Sequence, residues 1–259
     1  MKIYRAKNYD KLSEKAASIL GAEVISNPEC VLGLATGSTP VGAYGYLKKW
    51  YRMGLLDFSR VKSMNLDDYK GLEPDNEQGY YYFMRKNLFC DINIKPENTH
   101  IPDSMEPDSE KACSDYERII EESGGVDLQL LGLGHNGHIG FNEPGEIFEK
   151  KCHCVTLAAS TVEANKRFFE RAEDVPSQAY TMGIGTIMRA RKILLLVSGK
   201  EKSGILNQVI NGPVTPKVPA SVLQLHPNVT IIADEDALSE ADLQEQKGRT
   251  IYAVSYTHL

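Results

Sequence analysis

"VDLQLLGLGHNGHIGFNEPG", Val126 to Gly145, is the stretch on which the reading of this chain turns. Val126 to Leu131 form a nearly continuous apolar run, as expected of a strand buried on both faces. The segment after Leu131 is no ordinary turn. A connector that only redirects the chain uses a few Gly, Asn or Asp residues. Between Leu131 and Gly145, two histidines, two asparagines and one glutamate are spread among five glycines. Polar groups at the end of a parallel strand stand where α/β folds bind their ligands.

The same pattern repeats on both sides. "CVLGLA" (30–35), "VKSMNL" (61–66), "KILLLV" (192–197) and "NVTIIAD" (228–234) read as further strands. Segments of helical spacing separate them, over 40–53, 76–89, 109–123 and 200–210, with another expected after Ser160 as N-cap. In 109–123, Ala112, Tyr116, Ile119 and Ile120 recur at that spacing. Strands alternating with helices predict an α/β fold, a three-layer Rossmann-like sandwich whose mostly parallel sheet is covered by helices on both faces. No internal repeat or low-complexity linker interrupts it, so residues 1–240 read as a single domain. The remainder, 241–259, fits no periodic element; its last dozen residues are expected to be a frayed or non-native tail.

Composition narrows the partners. The chain has 259 residues, 42% of them hydrophobic, enough for a substantial core. A formal net charge of −6 argues against a nucleic-acid surface. The first residues lack the apolar centre of a signal peptide, and no apolar run approaches the roughly 18 residues that span a bilayer. The expectation is a soluble, cytoplasmic protein with no membrane partner. Cys30, Cys90, Cys113, Cys152 and Cys154 are odd in number and scattered, so they make no disulfide framework. "CHC" (152–154) has no second ligand pair, which argues for reduced thiols and against a metal site.

Three strand ends offer chemistry. "LATGSTP" (34–40) leads into a helix: Gly37 allows close backbone approach, Ser38 and Thr39 supply hydroxyls, and Pro40 suits the first turn. That suits a phosphate, although a capped turn of small residues has the same look. The loop is neither a Walker loop nor a dinucleotide fingerprint. In "NLDDYKGL" (65–72), Asp67 and Asp68 point to opposite sides of a strand, so at most one enters a given pocket. A carboxylate there serves as a base, a metal ligand, a helix cap or part of a solvated turn. In the opening loop, the imidazole of His138 suits proton transfer, Glu143 can orient or tune it, and Asn136 can only hydrogen-bond. Parallel strands bring these ends to one edge. Arg167 in "EANKRFFE" (163–170) and Lys202 in "SGKEKSGIL" (198–206) would complete a phosphate clamp, alongside Lys200.

Taken together, "GLATGSTP", "NLDDYKGL", "GLGHNGHIGFNEPG", "EANKRFF", "TMGIGTIM" and "LQLHPN" resemble the glucosamine-6-phosphate deaminase family, in order and spacing from about residue 1 to 235. The resemblance implies a reaction without metal or cofactor, in which glucosamine 6-phosphate and water give fructose 6-phosphate and ammonia. It implies Asp67 as the base at C2 and His138 in ring opening, with Asn136 and Glu143 tuning it. Gly37, Ser38, Thr39, Arg167 and Lys202 would hold the phosphate. Some members carry Asp where this chain has Asn136. Some are hexamers activated by N-acetylglucosamine 6-phosphate, bound between subunits by an Arg and a Lys. Here those positions are His153 and Val155, so activation is expected to be weak or absent. The sequence leaves open whether the chain is a monomer or a homo-oligomer. The competing readings are a 6-phosphogluconolactonase, which shares the fold and the phosphate loop but needs no carboxylate over C2, and a sugar-phosphate-sensing regulator, which would need a DNA-binding segment not found before residue 30.

Overall fold

The computed structural model describes residues 1–157, 171, 175–241 and 250–254. The elements run β1 (Lys2–Ala6), α1 (Tyr9–Ser26), β2 (Val31–Leu34), α2 (Ser38–Arg52), β3 (Lys62–Asn65), β4 (Asp67–Tyr69), α3 (Tyr80–Asn87), β5 (Thr99–His100) and α4 (Ser109–Glu122). They continue with β6 (Leu128–Gly132), β7 (His153–Thr156), β8 (Gln178–Thr181), α5 (Ile184–Met188), β9 (Lys192–Val197), α6 (Ser203–Asn211), β10 (Val229–Asp234) and β11 (Thr250–Ala253).

Eight strands form one sheet in the order β11-β1-β10-β9-β6-β2-β3-β5, with every neighbouring pair parallel. β2 is buried along its whole length, and β9 at every position but Lys192. That is why these strands read as continuous apolar runs: both faces are covered by other layers. From β2 the chain moves outward to β3 and β5, then returns to the opposite side of β2 as β6. The loops that leave β2 and β6 therefore diverge, and a cleft opens beyond the carboxyl ends of the strands.

α1, which the sequence reading leaves unplaced, secures the first of those loops. Its N-cap Asn8 accepts from the Lys11 amide, and Leu12, Ala16, Leu20 and Val24 are buried at helical spacing. At its start the Tyr9 hydroxyl donates toward the Ser38 carbonyl (2.9 Å) and accepts from the Gly42 amide (2.9 Å), tying α1 to the first turn of α2.

A second, three-stranded antiparallel sheet, β4-β8-β7, carries Asp67. It has a small apolar cluster of its own: Tyr69, Leu72, Phe141, Leu157 and Ala179. The carboxyl end differs from expectation at one place. Thr250–Ala253 are not frayed; they extend the main sheet in parallel register with β1, and Tyr252 stacks on Tyr4 at 4.9 Å. β-branched and aromatic residues against an open sheet edge account for this. Residues 242–249 and 255–259 of the expected tail lie outside the described residues. Among the described residues, no helix is long and apolar enough to cross a membrane.

Candidate active site

The cleft has a volume of about 260 Å³, and Gly37, Ser38, Thr39, Asp67, His138 and Lys202 all line it. These groups come from four separate stretches of sequence and meet because parallel strands end together. α2 starts directly after β2 with Gly37 as its N-cap, and no side chain caps its first amides. Free amides at a helix start attract anions. Tyr44, fully buried beneath the loop, fixes it: the hydroxyl donates to the Ala35 carbonyl (2.6 Å) and accepts from the Ala35 amide (3.2 Å). Opposite, Lys202 donates to the Leu133 carbonyl. Burial pushes its ammonium pKa down, while Glu201 opposes that shift. Arg167, and the helix expected after Ser160, lie outside the described residues.

The two aspartates divide as their alternation predicts. Asp68 turns away from the cleft, and its Oδ1 accepts from the Tyr69 amide (2.8 Å) and the Tyr80 amide (2.9 Å). It therefore caps the start of α3. Burial raises its pKa to about 6, against the lowering by these backbone hydrogen bonds. Asp67 lines the cleft with only 6% of its surface exposed. Burial, with the neighbouring Asp68 second, pushes its carboxyl up to about 8. No hydrogen-bond donor among the described residues stabilises its anion, so it is a basic, reactive carboxylate once ionised.

The glycine-rich loop aims His138. The Gly134 amide donates to the His138 carbonyl (2.9 Å), folding the loop back on itself. A Cβ at Gly134 would stand 2.3 Å from the imidazole, so only glycine lets the ring lie there. Gly140 has φ +59°, and a Cβ there would meet Thr181 Oγ1 at 2.8 Å and Asp67 Oδ2 at 3.3 Å. Nδ1 of His138 lies 3.2 Å from Glu143 Oε1, without the alignment of a hydrogen bond. With Nδ1 facing Glu143, Nε2 is the ring nitrogen left for a ligand. Asn136 donates to the other oxygen of Glu143 and accepts from the His138 amide at 3.2 Å. Burial works to raise Glu143, but His138 and Asn136 outweigh it and hold the carboxyl below the usual range. The Glu143 carboxylate thus faces the imidazole edge of His138.

Sequence reasoning missed Tyr80. It opens α3, lines the cleft, stacks on Phe141 (6.0 Å, 5° between planes), and its hydroxyl donates to that of Tyr69 (3.2 Å). Burial lifts its phenol well above the ordinary value. A larger cavity of about 560 Å³ lies between α4 and the approach to β7, among Cys113, Glu117 and Cys152. It holds none of the candidate groups. All five cysteines are free, and among the described residues no three His, Cys, Asp or Glu side chains are grouped to hold a metal.

The sequence profile of the family described as "Glucosamine-6-phosphate isomerases/6-phosphogluconolactonase" matches residues 5–232. The chain belongs to this family. Every candidate residue of the cleft, Gly37 to Lys202, falls within the matched span of the glucosamine-6-phosphate isomerase/6-phosphogluconolactonase family. A glucosamine-6-phosphate deaminase of Lachnoclostridium phytofermentans is 56% identical over 232 residues, 90% of this chain and 98% of the relative. A solved monomeric glucosamine-6-phosphate deaminase superposes with a TM-score of 0.89 at 41% identity, over 93% of this chain and 100% of its own. A 6-phosphogluconolactonase from Trypanosoma cruzi superposes at 0.74 with 22% identity, over 94% and 97%, which speaks for the fold alone.

Proposed function

We propose that this protein is a glucosamine-6-phosphate deaminase, converting glucosamine 6-phosphate and water to fructose 6-phosphate and ammonia. The observation that carries the reading is Asp67: a buried carboxylate with no hydrogen-bond donor among the described residues, in a cleft also lined by the open start of α2 and by Lys202. A lactonase needs no base over C2. The 56% identity to a deaminase over nearly the whole of that relative supports the same choice.

The steps derive from the side chains. The phosphate binds at the start of α2, against Ser38, Thr39, Lys202 and, on this reading, Arg167. Held there, the sugar spans the cleft, and binding energy remote from C2 is spent on orientation. His138 moves a proton between the ring oxygen and the C1 hydroxyl, opening the hemiacetal. Glu143 stabilises the imidazolium, and Asn136 keeps Glu143 in place. Asp67 then removes the C2 proton of the open aldehyde, giving an enolamine. The proton is returned to C1, leaving a ketimine at C2. Water adds to C2 and ammonia departs, so atoms and charges balance. Substrate arrival helps the base: an ammonium at C2 beside Asp67 favours the ionised carboxylate and lowers its pKa from the empty-site value.

In this reading residues 1–240, with the strand Thr250–Ala253 added to the same sheet, act as one domain in the cytoplasm, on a small molecule, without nucleic acid or membrane. A net charge of −6 and the phosphorylated substrate support that. The test is a parallel incubation with glucosamine 6-phosphate, unphosphorylated glucosamine and 6-phosphogluconolactone. Ammonia from the first, little from the second and no hydrolysis of the third is the expected pattern. Lactone hydrolysis without ammonia release would replace the reading with the lactonase.

A further inference from the structure

Asp67 and His138 come from different sheets, and something must set their mutual position. β4 and β8 pair antiparallel with Asp67 directly opposite Thr181. Directly opposed residues share one face of a sheet, so both side chains project toward the same loop. Thr181 is fully buried, and its Oγ1 accepts from the Phe141 amide at 3.1 Å. The packing there is tight: a Cβ on Gly140 would touch both Thr181 Oγ1 and Asp67 Oδ2. The next residue continues the joint. The Met182 carbonyl accepts from Asn142 Nδ2 (2.8 Å), and the Met182 amide donates to the Leu66 carbonyl (2.7 Å). The end of β8 thus holds the Leu66–Asp67 backbone on one side and residues 140–142 of the His138 loop on the other.

We propose that the Thr181 hydroxyl is a positioning residue, which locks the His138–Glu143 loop to the strand carrying Asp67 and so sets the base against the imidazole. Its effect on turnover rests on the deaminase reading; its effect on the loop does not. Among the described residues, no hydrogen bond joins the Thr181 hydroxyl to Gly37, Ser38, Thr39 or Lys202, so its loss leaves that end of the substrate alone and misplaces the reacting end.

The experiment compares Thr181→Val, Thr181→Ala and Thr181→Ser with the parent enzyme. Steady-state ammonia release is measured below the unfolding range of each, together with hydrogen exchange at the Phe141 amide. Valine and alanine should lower kcat on the order of tenfold to a hundredfold, with KM changed by less than about twofold, since a small misplacement of reacting groups is costly while phosphate binding persists. Serine keeps the acceptor and should restore most of kcat. The Phe141 amide should be protected in the parent and the serine variant and unprotected in the other two. If valine fails to fold, the alanine and serine pair decides. Wild-type kcat without the hydroxyl, equal losses in serine and alanine, or a protected Phe141 amide in alanine overturns the proposal. A parent enzyme that releases no ammonia but shows this exchange pattern would sink the deaminase reading and leave the loop lock standing.

Discussion

Replacing Asp67 with Asn should make the protein more stable and nearly inactive at once. Asp67 is only 6% exposed, and burial raises its carboxyl pKa from 3.8 to about 8 in the native state. Between those values the native state holds a proton that the unfolded chain releases, so stability falls as pH rises through the window. Each unit removes about 1.4 kcal/mol, so the roughly four-unit window sets an upper bound near 6 kcal/mol, reduced by water entering the cleft. Asparagine carries no such penalty. Thermal unfolding of both proteins from pH 4 to pH 9 isolates the contribution of Asp67 and its coupling to Asp68, because groups that do not interact with Asp67 cancel in the difference. The advantage of the Asn variant should be smallest near pH 4, grow to about pH 8 and stay level above. In the same variant kcat should fall on the order of a hundredfold or more, since a general base acts in the transition state. A stability difference that is flat with pH, or that shrinks as pH rises, would refute the burial argument. Activity within tenfold of the parent would refute the assignment of the base.

Asp68→Asn keeps an oxygen for the Tyr80 amide, so α3 remains capped and kcat should change far less than in Asp67→Asn; comparable losses would mean that the wrong carboxylate was chosen. Removing this like charge should also move the acid limb of kcat/KM to lower pH, as a pH profile of ammonia release will show. In the parent that limb should fall about tenfold per unit below pH 8, because only the ionised carboxylate removes the C2 proton. Lys202→Ala and Arg167→Ala should each raise KM by roughly 10- to 100-fold, the value of one charged contact to phosphate, and unchanged KM in both would place the phosphate elsewhere. Substrate saturation should be hyperbolic with or without N-acetylglucosamine 6-phosphate. His153 and Val155 on β7 supply no pair of fixed positive charges, and the His153 ring is engaged with the Lys151 carbonyl at 3.0 Å. A Hill coefficient clearly above one, abolished by that ligand, would contradict this and point to Lys150 and Lys151.

The central strands were legible because they are buried on both faces. "KILLLV" and "NVTIIAD" carry no competing polar signal, and β9 and β10 fall within a residue of those runs. The second sheet was not legible. β4 is Asp-Asp-Tyr, β7 His-Cys-Val-Thr and β8 Gln-Ala-Tyr-Thr, three or four residues each of mixed polarity, and they are strands only because they pair. α1 was missed although its signal is present, with Asn8 as cap and Leu12, Ala16, Leu20 and Val24 on one face. In the site, strand alternation separated Asp67 from Asp68, and the loop placed His138, Glu143 and Asn136 together. Tyr80 and Thr181 carried no such mark. One is an aromatic at a helix start and the other a threonine in a short strand, and each gains its role from a partner distant in sequence. β11 shows the same dependence: "TIYA" becomes a strand only where β1 leaves an edge to receive it.

The most direct test is the stoichiometry of the reaction with a metal chelator present. The parent enzyme, given glucosamine 6-phosphate, should release ammonia and fructose 6-phosphate in equal amounts, and Asp67→Asn should release neither at a comparable rate. No ammonia from the parent, ammonia without fructose 6-phosphate, or activity that returns only when a divalent metal is restored would contradict the assignment of this cleft to deamination by a carboxylate base.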